Sequence, residues 1–237
     1  MNWRWATVAT ACEQEKGNHC VRRIRQDVLG RALPRPRRGR WQAAQPAARG
    51  GGRRSAARHG TGRGLWRGAD AVWLASRGWR VTAVDIAATA LARAREHAES
   101  LGADLASRID WVEADLTSWT PAEERFDLVS THYVHLAASR EALFGRLAAS
   151  VAPGGTLLIV GHHPSDPHTT HSHGPSPAVH FTAEEVAADL DPGLWDIAVA
   201  EARSRSATAP DGHKMTMHDA VVRARRRPWP TEVTPLR

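Results

Sequence analysis

Four apolar runs between Arg80 and Gly161 end on residues that can do chemistry. Arg80-Val-Thr-Ala-Val-Asp85 closes on an aspartate, and Ile109-Asp-Trp-Val-Glu-Ala-Asp115 closes on another. Phe126-Asp-Leu-Val-Ser-Thr131 runs into His132 and Tyr133, and Gly155-Thr-Leu-Leu-Ile-Val-Gly161 runs into His162 and His163. A carboxylate can accept two hydrogen bonds, as from a vicinal diol, and an imidazole or a phenol can hold or move a proton. When runs of this kind are parallel strands, their carboxyl ends share one side of the sheet, which is where such sheets bind ligands. Six histidines fall between His162 and His180, at 162, 163, 168, 171, 173 and 180. The spacing His171-x-His173 sits in a Pro/Ser/Thr-rich loop, without the ordered support that zinc ligands use. The reading is therefore a polar, substrate-covering or solvated loop, with no metal.

The elements that must position these residues are legible around them. Ala69 to Arg77 reads as a helix with Ala71, Val72, Leu74 and Ala75 on its apolar face, stopped by Gly78. Ala87 to Leu101 reads as a second helix closed by Gly102, and Ser139 to Val151 as a third. Strands are expected over Arg80–Asp85, Arg108–Asp115, Phe126–Thr131 and Thr156–Val160, with Pro153-Gly154-Gly155 turning into the last. Thr182-Ala-Glu-Glu185 has the spacing of a capping box, and Leu194–Ala202 and Met215–Arg225 read as two strands joined at Pro210-Asp211-Gly212. Alternating strands and helices predict a doubly wound α/β sheet, mostly parallel, with an antiparallel C-terminal hairpin.

Charge divides the 237-residue chain. Residues 1–67 hold 16 Lys+Arg against 3 Asp+Glu, or +13, and the other 170 residues hold 16 against 22, or −6. The basic character thus belongs to one Arg/Gly-rich segment without sustained hydrophobic period, expected to be disordered. The domain proper is expected over 68–227, with a tail at 228–237. Cys12 and Cys20 make a poor disulfide or metal framework. Trp5 to Cys12 is too short and too weakly apolar for a signal peptide, and no stretch reaches the ~18 apolar residues of a membrane span. Cytoplasmic residence is the expectation.

From Gly68 to Arg227 the chain resembles the class I S-adenosylmethionine-dependent methyltransferases, with some likeness to the small bacterial tellurite-resistance and thiopurine branch. The resemblance implies that Asp85, followed by Ile86, holds the ribose hydroxyls of the cofactor. It implies that Ala114-Asp115-Leu116 meets the adenine, Asp115 through the exocyclic amine and Leu116 against the ring. Phe126 to Tyr133 resembles the fourth-strand motif that leads into the active site, placing Thr131 at the cofactor. Val151-Ala-Pro-Gly-Gly-Thr-Leu-Leu-Ile-Val160 resembles the family's Leu-x-Pro-Gly-Gly turn and fifth strand. His132, Tyr133, His162 and His163 would then line the pocket of the methyl acceptor.

The first family motif is absent. A strand ending in an Asp-x-Gly-x-Gly-x-Gly loop lets backbone N–H groups approach the cofactor closely. Here Gly60-Thr-Gly-Arg-Gly-Leu-Trp-Arg-Gly68 has glycines but neither apolar strand nor aspartate, and only Gly68 fits, as the last glycine. The expected sheet therefore has its first strand missing or degraded. Read one base later through GC-rich codons, Thr61 to Gly68 can encode Leu-Asp-Val-Gly-Cys-Gly-Glu-Gly, which is the missing motif. A frameshifted N-terminal segment is the expected explanation.

The function implied is methyl transfer from S-adenosylmethionine to a small-molecule acceptor. An oxygen or nitrogen acceptor would call for a base, with His132, Tyr133 and His163 as candidates; a soft sulfur, selenium or tellurium nucleophile would not. No catalytic residue can be named on these grounds. Two other readings stay open: a catalytically inactive fragment of the fold, and an Arg-rich nucleic-acid-binding protein.

Overall fold

The structure is a computed structural model, and it describes residues 4–9, 68–134, 139–166, 180–208 and 213–229. Their elements, in chain order, are β1 (Arg4–Ala9), α1 (Ala69–Ala75), β2 (Arg80–Asp85), α2 (Ala88–Ser100), α3 (Ala103–Ala106), β3 (Ile109–Glu113), β4 (Phe126–His132), α4 (Arg140–Ala149), β5 (Val151–His162), α5 (Ala183–Ala188), β6 (Trp195–Thr208) and β7 (Lys214–Arg226). One seven-stranded sheet runs in the order β3-β2-β1-β4-β5-β7-β6. The pairs β3·β2, β2·β1, β1·β4 and β4·β5 are parallel, and β5·β7 and β7·β6 antiparallel. The doubly wound sheet and its closing hairpin are as expected.

The missing first strand is corrected. Arg4–Ala9 occupies the central position, Trp5 to Val8 in register with Val81 to Val84 on one side and with Leu128 to Thr131 on the other. Without it β2 and β4 would face each other across a gap, each with a row of unsatisfied backbone groups. The short run Trp-Ala-Thr-Val contains the β-favouring types that suit this slot. Reading residues 1–67 as a single disordered unit overlooked it. Residues 10–67, including the Arg-rich stretch, both cysteines and the candidate glycine loop, lie outside the described residues, as do Pro210-Asp211-Gly212, His168, His171 and His173.

Strand alternation builds a core on each face. Leu128, Leu158, Val160 and Val221 pack with Val81, Ala83 and the α1 residues Ala71, Leu74 and Ala75. Val129, Leu157, Ile159, Ala220 and Val222 pack against Leu143 and Leu147 of α4 and Val186 of α5. β5 begins five residues before its expected start. Val151 pairs with Phe126, and the register then shifts so that Leu128 meets Thr156. Pro153-Gly154-Gly155 is thus a bulge inside the strand, with Gly154 at φ 79°. A side chain at Gly155 would meet the Ala152 carbonyl oxygen at 2.7 Å, which explains the glycine.

α5 starts on the expected capping box. The Thr182 hydroxyl accepts from Glu185 N–H at 3.2 Å, and the Glu185 carboxylate accepts from Thr182 N–H at 3.0 Å. Thr182→Ala is expected to cost ~1 kcal/mol in a urea titration, because it removes one half of this exchange. Gly161 matters more. A Cβ there would overlap the buried Phe181 ring, which packs edge-on against Phe144 with centroids 5.6 Å apart. Gly161→Ala is expected to destabilise by about 1–3 kcal/mol through overpacking, read as a lowered urea midpoint at unchanged slope. Among the described residues, no helix is long and apolar enough to cross a membrane.

Candidate active site

The strand order reverses between β1 and β4: β2 and β3 lie to one side, β4 and β5 to the other. The crevice beyond their carboxyl ends is where a doubly wound sheet takes its ligand. Asp85 ends β2 there, fully buried, and its Oδ1 accepts from Ala87 N–H at 2.8 Å. That turn holds the carboxylate at the strand end, with Ile86 half-exposed beside it. Ala114 N–H donates to the Asp85 carbonyl at 3.1 Å, so the loop after β3 is tied to the end of β2. The structure brings these two candidate cofactor segments together.

Within that loop the three residues differ. Asp115 is exposed, and Thr117 N–H donates to its Oδ1 at 2.8 Å. This bond holds its carboxyl below the usual carboxylate range. Leu116 is 2% exposed and belongs to the core beside α4, and its carbonyl accepts from Arg146 at 2.8 Å. Ala114 is half-buried. Gly68 precedes α1 in the left-handed region, at φ 58°. A side chain there would meet the Trp111 ring at 2.7 Å, so only glycine lets the helix start this close to β3.

The candidate acceptor side lies at the ends of β4 and β5. Thr131 is buried, in register with Val8 of β1 and Ile159 of β5. His132 is 2% exposed, and its Nδ1 lies 3.7 Å from Oδ2 of Asp70, a buried residue in the first turn of α1. Tyr133, the one tyrosine of the chain, has φ 50°, an unusual backbone state for an aromatic residue. Its N–H donates to the Val160 carbonyl at 2.8 Å, which fixes the turn. Its ring lies 4.8 Å from that of His162, and His162 lies 6.2 Å from His180. Tyr133 and His162 thus form one aromatic cluster at the strand ends.

Residues that the sequence did not single out stand behind this cluster. Arg205 of β6 donates through Nε to Oδ2 of Asp219 of β7 at 2.8 Å, both side chains 1% exposed. The Arg205 guanidinium lies 5.7 Å from the Tyr133 ring centroid. Burial pushes the Asp219 carboxyl above the usual carboxylate range, against the opposing pull of Arg205 and the Tyr133 hydroxyl. The signal available was Asp219 itself, an acidic residue inside the apolar run Asp219-Ala-Val-Val222. His163 is turned aside: its Nδ1 lies 2.8 Å from the Ser165 hydroxyl, which also meets Nδ1 of His218 at 2.8 Å. Among the described residues, no group of three or more His, Cys, Asp or Glu is arranged to hold a metal ion.

Residues 60–155 match a family described as a methyltransferase domain. None of the curated proteins matches the chain. Among solved structures, one from work on the conversion of a disulfide bond into a thioacetal group during echinomycin biosynthesis is 19% identical. It covers 97% of this chain and 78% of its own, with a TM-score of 0.52. TehB from Haemophilus influenzae is also 19% identical, with a TM-score of 0.53, covering 68% of this chain and 55% of that one. The YcgJ protein of Bacillus subtilis is 12% identical, with a TM-score of 0.52, covering 68% and 88%. At these identities the solved structures speak to the fold alone, a Rossmann-like α/β sheet, and the family match says that residues 60–155 are similar to a methyltransferase domain.

Proposed function

We propose that this domain transfers the methyl group of S-adenosylmethionine to a small-molecule acceptor. The observation that carries the reading is the buried Asp85 carboxylate at the end of β2, at the same edge of the sheet as the Tyr133–His162 cluster at the ends of β4 and β5, across the β1/β4 reversal. A carboxylate turned past a strand end suits the ribose diol, and the Ala114-Asp115-Leu116 loop tied to it suits the adenine. The bound cofactor supplies a sulfonium methyl group that is already an activated electrophile. The chain's own contribution is alignment and exclusion of water. Thr131, His132, Tyr133 and His162 are the candidates to line the acceptor pocket, with His163 just beyond the end of β5. His132, in register with Ala9 of β1, and Tyr133, the next residue, are the candidates to take a proton from an oxygen or nitrogen acceptor.

The setting proposed is cytoplasmic. The segment before Gly68 is read as the product of a shifted frame. The use of Arg4–Ala9 as β1, with 58 residues between Ala9 and Gly68, supports this, because the domain's first strand ordinarily leads straight into the glycine loop. An inactive fragment of the same fold is the alternative, and it predicts no cofactor binding by the chain as written.

Incubation with methyl-labelled S-adenosylmethionine and a panel of thiols, phenols, amines and tellurite tests the activity. Label is expected in a small product. Label recovered only in polypeptide or nucleic acid would overturn the proposed acceptor class.

A further inference from the structure

We infer that the Arg205–Asp219 pair positions the Tyr133 hydroxyl, so that Tyr133 takes the proton of a nitrogen or oxygen methyl acceptor; this rests on the proposed methyl transfer. Arg205 and Asp219 are positioning residues, because they act through Tyr133. The parts come from four neighbouring strands. Tyr133 follows β4, His162 ends β5, Arg205 lies in β6 and Asp219 in β7. His162 and Asp219 are register partners across β5 and β7. By strand alternation both lie on the face of Leu158, Val160 and Val221, and Tyr133 packs against that same cluster.

The ring of Tyr133 is fixed from several sides. Its backbone is held at φ 50° by the bond from its N–H to the Val160 carbonyl, a state that persists only where the surroundings impose it. The His162 ring lies 4.8 Å away and the Arg205 guanidinium 5.7 Å from the ring centroid. Asp219 in turn holds Arg205 at 2.8 Å. The Tyr133 hydroxyl favours the ionised form of Asp219, as a donor facing a carboxylate does. A phenol that gives its proton to a carboxylate keeps its lone pairs for another donor. That donor is the N–H or O–H of the methyl acceptor. As the acceptor atom takes the methyl group, the carbon–sulfur bond breaks with its electron pair going to sulfur. The acceptor's proton passes to the Tyr133 oxygen, and the hydroxyl proton passes to Asp219, whose protonated form burial already favours. A thiolate or tellurite has no such proton to give. The other titratable groups nearby are His162 with His180 beyond it, His132 with Asp70 of α1 beside it, and Asp166, which opposes the ionisation of Asp219.

Tyr133 is the one tyrosine of the chain, so carbon-13 labelling of the tyrosine ring gives a single resonance that reports its ionisation. Asp219→Asn is expected to move that ionisation to lower pH, because Arg205 then faces the ring without its carboxylate. An unchanged or raised midpoint would overturn the positioning. If Asp219→Asn does not fold, Tyr133→Phe is titrated with urea instead. Losing the donor should move upward the pH at which the stability contribution of Asp219 fades, and an unmoved profile would overturn the pairing. In the labelled-cofactor assay, amines or phenols are expected to take the label, with kcat lowered about 100-fold in Tyr133→Phe and about tenfold in Asp219→Asn. Label passing to thiols or tellurite alone, or a rate that Tyr133→Phe leaves unchanged, would overturn the proton-accepting role. A chain whose Tyr133 resonance shifts as expected but which transfers no label overturns the methyl transfer, and leaves the pairing of Tyr133 with Asp219 established.

Discussion

Replacing Asp219 by alanine is expected to cost about 3–5 kcal/mol of stability, the largest single effect outside the hydrophobic core. The Arg205–Asp219 pair is buried on both sides, with Nε to Oδ2 at 2.8 Å. The loss comes less from the attraction than from what remains, a guanidinium held out of water without its carboxylate. The raised pKa of Asp219 agrees with this, since burial outweighs the pull of Arg205 and the Tyr133 hydroxyl. The sign of the pH dependence follows. A carboxyl whose pKa is higher folded than unfolded contributes its stability below the ordinary carboxylate range, and that contribution fades as pH rises through the elevated value. Urea titrations across this range should show the slope in the wild type and not in Asp219→Ala. Replacing both partners together, with Arg205→Met and Asp219→Leu, should cost less than Asp219→Ala alone. A double variant worse than the single one would mean that the pair is held by attraction.

Asp85→Ala is expected to weaken S-adenosylhomocysteine by roughly 100-fold, corresponding to about 3 kcal/mol for two lost charge-assisted hydrogen bonds. Asp85 is buried, its side chain accepts from Ala87 N–H, and its backbone carbonyl accepts from Ala114 N–H. Its role depends on position as well as charge, and Asp85→Glu should recover only part of the affinity. Asp115→Ala should lose about tenfold or less, because Asp115 is exposed and its hydrogen bonds compete with water. Calorimetry on the three variants checks the order, and Asp115→Ala matching Asp85→Ala would reverse these assignments.

What the sequence made legible follows periodicity. β2, β4, α2 and α4 were readable within a few residues because their apolar spacing is clean and glycines or caps punctuate them. The capping box at Thr182 was readable because it is a local exchange of two hydrogen bonds. Arg4–Ala9 was not, because a six-residue run becomes a strand only when two distant neighbours need it, and that need is absent from the run itself. The bulge at Pro153-Gly154-Gly155 was misread as a turn for a similar reason, since the same residues suit either. Asp85 and Tyr133 could be singled out because each sits at the end of an apolar run. Asp70, Arg205 and Asp219 were missed because their partners are 62, 14 and 14 residues away in the chain. No spacing rule joins residues across a sheet.

Calorimetric titration of the full chain with S-adenosylhomocysteine tests the central claim most directly, namely that a cofactor site spans the carboxyl ends of β2 and β4. Saturable binding at one site, sharply weakened in Asp85→Ala, is the expected result. A folded chain that gives no heat with this ligand would contradict the cofactor site as the chain stands. Sequencing the coding DNA across Gly60 to Asp70 would then decide whether the frame is shifted there.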